Sequence, residues 1–217
     1  MGDNGGRALD YYNLKLEKAL SDDDQPHLFK ALITYDVPFG RKGSLFVNSP
    51  RVVSAVIGGW SVSGIFNYFS GTPLGFGGST PLSGGWNGSV NRANITPGNL
   101  KVDNFDKQAF QISPTSAPGN KFLNTALFSD PAPLTLGNAA FRYGQARNFA
   151  RQNEDFGLQK NVKVGDRARF QIRAEFLNAF NRSTLGGIVT SVTNPLFGQV
   201  TSIGGNRSIQ FGTRFDF

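Results

Sequence analysis

The chain has 217 residues, with 20 Phe, 27 Gly, one His, no Cys and a net charge of +7. The absence of Cys excludes disulfides and thiolate metal sites, and the single His27 excludes a His-based metal cluster. No apolar run reaches the roughly eighteen residues that a transmembrane helix needs, although strands that are half polar would escape such a search.

In chain order, residues 9–20 form a first, weak strand candidate, with helix as the alternative from Leu14 onward because Leu, Lys, Glu and Ala are good helix formers. Ser21-Asp22-Asp23-Asp24 is an acidic, solvated turn without the glycine of a calcium loop. Residues 27–37 alternate clearly, with Phe29, Ala31, Ile33, Tyr35 and Val37 on one side and Lys30, Leu32, Thr34 and Asp36 on the other. Pro38, which cannot donate into a ladder, ends that strand, and Phe39-Gly40-Arg41-Lys42-Gly43 turns. Residues 58–70 form the next strand, with Trp60 and Tyr68 placed near its ends as interfacial aromatics would be. Residues 74–152, rich in Gly, Pro, Asn and Ser, read as one long irregular loop. Gly75-Phe76-Gly77-Gly78 lacks the Lys-Ser/Thr of a phosphate loop.

Alternation resumes in residues 153–164, with Phe156, Leu158, Val162 and Val164 on one face and Asp155, Gln159 and Asn161 on the other. Lys160 falls on the apolar face, so it must lie near a rim and snorkel, or a bulge must shift the register. Gly165-Asp166 is a tight turn into residues 167–181, where Arg167, Arg169, Gln171, Arg173 and Glu175 oppose Ala168, Phe170, Ile172, Ala174 and Phe176. Residues 207–217 repeat the pattern, with Ile209, Phe211, Thr213, Phe215 and Phe217 opposite Ser208, Gln210, Gly212, Arg214 and Asp216.

Successive side chains of a strand point to opposite faces, so each of these segments carries one polar and one apolar face. A soluble β-sandwich also alternates. Long charged side chains in succession suit a water-filled lumen, and strands of about 9–11 residues match the bilayer's hydrocarbon thickness. The expected fold is all-β, an antiparallel meander of about six strands (9–20, 27–37, 58–70, 153–164, 167–181 and 207–217). It forms an open segment of a transmembrane β-barrel with one long extracellular loop, 74–152. With Phe217 on the periplasmic side, that loop falls outside and residues 39–57 form an inner connection. The basic residues do not build a nucleic-acid surface, because Arg167, Arg169 and Arg173 lie on the face opposite the aromatics, where no base could stack on both.

Several stretches resemble a known family. Gln210-Phe211-Gly212-Thr213-Arg214-Phe215-Asp216-Phe217 looks like the C-terminal assembly signal of outer-membrane barrels, carried by Gln210, Gly212, Phe215 and Phe217. Asp24-Gln25-Pro26-His27, Val37-Pro38-Phe39-Gly40, Gly58-Gly59-Trp60-Ser61-Val62-Ser63-Gly64 and Ser70-Gly71-Thr72-Pro73-Leu74 are similar to the C-terminal third of Oar-like TonB-dependent receptors. So are Leu136-Gly137-Asn138-Ala139, Arg173-Ala174-Glu175-Phe176-Leu177-Asn178-Ala179-Phe180-Asn181 and Phe197-Gly198-Gln199-Val200. Family members usually carry Phe-Asn-Leu-Phe-Asn where this chain has Phe176-Leu177-Asn178-Ala179-Phe180-Asn181.

The resemblance implies energised uptake of a bulky ligand across the outer membrane, with lipid, the barrel-assembly machinery, a plug and TonB as partners. It also implies an export signal, a plug and further strands, and Met1-Gly2-Asp3-Asn4-Gly5-Gly6 does not read as a secretory signal. Either the chain is cytoplasmic or it is the tail of a longer polypeptide; the resemblance implies the latter, without cofactor and without enzymatic chemistry. The row Arg167, Arg169, Gln171, Arg173, Glu175, Arg214 and Asp216 reads either as a lumen wall or as a charge ladder satisfied between adjacent strands. A non-transport surface or adhesion protein and a soluble sandwich module are the alternatives to the transporter.

Overall fold

The computed structural model describes residues 8–10, 12–40, 43–79, 91–107, 110, 120–164 and 168–217. The chain divides into two units: Met1–Pro26, Ser70–Ala150 and Thr184–Gly204 form the first, and His27–Phe69, Arg151–Ser183 and Gly205–Phe217 the second. Arg167 and the 165–166 turn lie outside the described residues, as do Arg41 and Lys42 of the expected turn after Pro38.

The second unit is an antiparallel sheet. Five strands, β1 (Leu28–Asp36), β2 (Trp60–Phe69), β7 (Arg151–Val164), β8 (Ala168–Leu177) and β11 (Ser208–Asp216), lie in the order β1-β2-β7-β8-β11. Pairing runs unbroken along every neighbouring pair, for example Ile33↔Gly64↔Phe156↔Phe176↔Ile209, so the two faces set by alternation are kept across the whole sheet. The Val37 amide donates the last β1 rung to the Trp60 carbonyl at 2.9 Å, and Pro38 then ends the ladder. The edges β1 and β11 have no partner among the described residues.

Three strand boundaries differ from expectation for identifiable reasons. The 167–181 strand stops at Leu177 because Asn178 (φ 49°) and Asn181 (φ 52°) are left-handed, a conformation that Asn tolerates. The 58–70 strand starts at Trp60, because Gly58 ends a short helix, α1 (Arg51–Ile57), that follows Pro50. The valine-rich sequence of α1 gives no helical signal of its own. Residues 9–20 are not a strand. Leu14–Glu17 is a 3-10 turn, held by Arg92, which donates to the Leu16 carbonyl at 3.0 Å and pairs with Glu17 at 2.6 Å. Among the described residues the sheet has five strands where about six are expected.

The first unit replaces the expected irregular loop. It has short pairings, β3 (Pro73–Leu74) with β6 (Tyr143–Arg147), β4 (Asn94–Ile95) with β5 (Phe128–Ser129), and β9 (Thr184–Gly186) with β10 (Ser202–Gly204). These surround a core of Leu74, Phe76, Leu100, Phe122, Leu123, Leu185 and Val200. Several of the motifs that carried the family resemblance are joints of this unit. A Cβ on Gly71 would sit 1.7 Å from the Asn148 carbonyl oxygen, so only glycine fits there. Asn138 accepts from the Ile95 amide at 2.7 Å, and the Gly198 carbonyl (φ 81°) accepts from both Phe122 and Leu123. The acidic turn is not merely solvated: Asp22 pairs with Arg142, and Asp24 with Arg147 at 2.5 Å.

Candidate functional site

The functional surface is the pair of faces of the five-stranded sheet. Register places Phe29, Ile33 and Tyr35 of β1, Trp60, Val62, Phe66 and Tyr68 of β2, and Phe156, Leu158 and Val162 of β7 on one face. Phe170, Ile172 and Phe176 of β8 and Ile209, Phe211 and Phe215 of β11 continue it. Among the described residues of the second unit, no second layer covers this face. Phe211 is 79% exposed, Phe29, Ile33, Tyr35 and Phe215 are exposed, and Phe170 and Phe176 are half-buried. Every buried apolar side chain among the described residues belongs to the first unit. The buried polar side chains of the second unit are Glu154, Lys160 and Asn178. The burial of an ordinary soluble domain is thus inverted.

The opposite face carries Arg169, Gln171, Arg173, Glu175, Arg214 and Asp216 together, as alternation requires. Their ion pairs run along strands rather than between them: Arg173 with Glu175 at 3.3 Å, and Arg214 with Asp216 at 2.8 Å. Gln210 and Gly212 share this face, Gln210 opposite Glu175 and Gly212 opposite Arg173. Phe217, beyond β11, stacks on Phe215 at 6.1 Å.

Two charged residues of β7 interrupt the apolar face, and both are fully engaged. Glu154, with no exposed surface, accepts from the Tyr68 hydroxyl at 2.7 Å and from Arg182 Nε at 2.9 and 2.8 Å. That hydrogen bond raises the pKa of Arg182, in the turn after β8, above its ordinary value. The same turn is tied down by the Asn178 amide on Asp155 at 2.8 Å, and by the Asn178 side chain on the Arg182 and Gly205 carbonyls. At the other end of β7, Lys160 Nζ donates to the carbonyls of Ala55 at 2.7 Å, Val56 at 2.9 Å and Gly58. It also lies 5.1 Å from the Trp60 ring, whose Nε1 donates to Val56 at 3.0 Å. The position of Glu154, two residues before Phe156 on the apolar side, was readable from alternation; its partners were not.

The family model described as "Outer membrane beta barrel domain" matches residues 1–210. The chain belongs to that family. No curated protein and no solved structure matches it. This outer-membrane β-barrel domain therefore works at the outer membrane, and its five-stranded sheet is an open segment of barrel wall. Membership of that family, rather than a soluble sandwich, accounts for the exposed apolar face.

In a barrel an apolar-face lysine costs about 2–4 kcal/mol at the bilayer midplane and close to nothing at the rim. Lys160 avoids that cost without a bulge, since β7 keeps its register through Lys160↔Ile172. It bonds the C-terminal carbonyls of α1, where a cation is favoured. Lys160→Met is therefore expected to destabilise the refolded protein by about 1–2 kcal/mol, because three carbonyls lose a charged donor. Urea unfolding in detergent, followed by tryptophan fluorescence, reads the change. A gain in stability on substitution would show that the ammonium is a burden rather than a cap.

Proposed function

We propose that this barrel segment forms part of the wall of a TonB-dependent transporter that takes up a bulky ligand by energised transport. The apolar face meets lipid, with Trp60 and Tyr68 at the two membrane interfaces, and the polar row from Arg169 to Glu175 with Arg214 and Asp216 meets a water-filled lumen. The observation that carries the wall reading is the inverted burial of the second unit, with aromatics exposed and Glu154 and Lys160 inside. Trp60 and Tyr68 are eight residues apart, about 27 Å along a strand, which at a tilt of about 40° spans about 21 Å of the roughly 25 Å height of a barrel's apolar band. The transport assignment rests on the stretches that resemble Oar-like receptors, from Asp24-Gln25-Pro26-His27 to Phe197-Gly198-Gln199-Val200.

Leu28, Phe69, Arg151, Leu177 and Ser208 are the strand ends at one end of the sheet, and all segments of the first unit join the sheet there. Long connections belong on the extracellular side of such barrels, so we place the chain connections that leave these strand ends outside the cell. The free edges of β1 and β11 pair with further strands of the complete barrel, a plug fills its lumen, and TonB acts through the plug. The protein performs no covalent chemistry and needs no cofactor.

The test compares spent medium from the source organism with that of strains lacking this locus or TonB. A solute left unconsumed by both mutants supports uptake, and the absence of any shared solute contradicts it. A second reading, a surface or adhesion protein, is favoured by the separately cored first unit. It predicts lost surface attachment with unchanged solute consumption in the locus mutant.

A further inference from the structure

The polar face of the sheet contains a rung that is unfavourable as it stands. Lys163 of β7 and Arg169 of β8 are directly opposite each other, and like charges so placed repel. Neither has an ion-pair partner among the described residues. Asp216 lies opposite Arg169 on the other side, yet its carboxylate is held by Arg214. A third cation, Arg51 of α1, lines the same cavity of about 840 Å³, again without a counter-ion among the described residues.

The amides beside this rung are arranged to donate. Gln171 Nε2 and Gln159 Nε2 both donate to Asn161 Oδ1, at 3.1 and 3.4 Å. With its oxygen occupied twice, Asn161 keeps its amide NH2 for a ligand. Asn161, Gln159 and Gln171 all line the cavity. Three cations and an amide donor line a space of ligand size with no carboxylate among the described lining residues, which is the chemistry of oxyanion recognition.

We propose that this cavity, between α1 and the polar face at the Lys163–Arg169 rung, binds a phosphate-bearing group. The group neutralises the like-charged rung and bridges Arg51 of the helix to the strands. The phosphate comes from a small soluble anion or from a lipid headgroup. The site does not depend on the transport reading, because binding is measured on the purified protein without uptake.

The test titrates inorganic pyrophosphate into the full chain in dodecyl maltoside micelles by calorimetry, with heat-modifiable gel migration confirming that each variant is folded. Wild type is expected to bind saturably, and Lys163→Gln with Arg169→Gln to weaken binding by about tenfold or more. Lys30→Gln, on the same face but outside the cavity, is expected to leave binding within about twofold of wild type. Arg51→Gln carries the same expectation of weakening from the helix side, should the double variant not fold. Binding that weakens in phosphatidylglycerol nanodiscs but not in phosphatidylcholine nanodiscs identifies a headgroup at the site; equal binding in both identifies a soluble anion. Absence of saturable binding, or equal loss in Lys30→Gln, overturns the proposal.

Discussion

Replacing Phe211 by Arg is expected to destabilise the membrane-inserted protein by about 2–4 kcal/mol, the cost of an arginine at the midplane of a barrel's lipid face. Phe211 is the fourth residue of the nine-residue β11 and is 79% exposed. In a soluble protein, a surface change of this kind falls within about 0.5 kcal/mol of neutral. The two solvents therefore give different answers at one residue. Gln210→Arg, next along the strand and on the opposite face, is the control and is expected to be close to neutral. Denaturant titration of both variants refolded into liposomes reads the difference. A neutral Phe211→Arg would place that face in water.

The second large effect is expected at Glu154. Truncation to Ala removes the acceptor of the Tyr68 hydroxyl and both oxygens held by Arg182. Breaking a buried ion pair costs about 3–5 kcal/mol, and Arg182 can rehydrate in part, so about 2–3 kcal/mol is expected. Glu154→Gln, which keeps an oxygen for Tyr68, should lose less. The turn from Asn178 to Arg182 packs through the same carboxylate, so proteolysis in that turn should accelerate in the Ala variant alone. Equal stability of Glu154→Ala and wild type would mean that the network is ornamental.

The sheet was legible because each strand carries its own record of two environments. From Arg169 to Phe176, and again from Ser208 to Asp216, one residue in two is polar, and pairing without bulges preserves that phase across all five strands. Lys160 was legible as a misfit, and its resolution required α1, whose Arg-Val-Val-Ser-Ala-Val-Ile reads as a strand by propensity. That helix is fixed from outside itself, by Lys160 and Trp60 on its last carbonyls. The Glu154 network joins residues 28 and 86 positions apart, a distance at which local periodicity carries no information.

The first unit was illegible for a different reason. Its core residues, Leu74, Phe76, Leu100, Phe122, Leu123 and Val200, stand singly or in pairs among Gly, Pro and Asn, with neither a period of two nor one of 3.6. Their burial is decided by aromatic clusters such as Phe105–Phe122–Phe149 and by polar joints such as Asn138. Register sets Arg169, Gln171, Arg173, Glu175, Arg214 and Asp216 of the polar row on one face, and Arg167 lies outside the described residues. The row's pairing was not foreseen, because ion pairs formed along the strands and left the Lys163–Arg169 rung without a carboxylate.

Because the chain has no cysteine, single spin labels can be placed along β11 without background. The most direct measurement is the accessibility of labels at positions 209 to 215, in protein refolded into liposomes, to oxygen and to a water-soluble nickel chelate. Oxygen, which concentrates in acyl chains, should dominate at 209, 211, 213 and 215, and the chelate at 210, 212 and 214. Equal access of the chelate to both sets, or a reversed phase, would contradict a lipid-facing apolar face and the barrel wall with it.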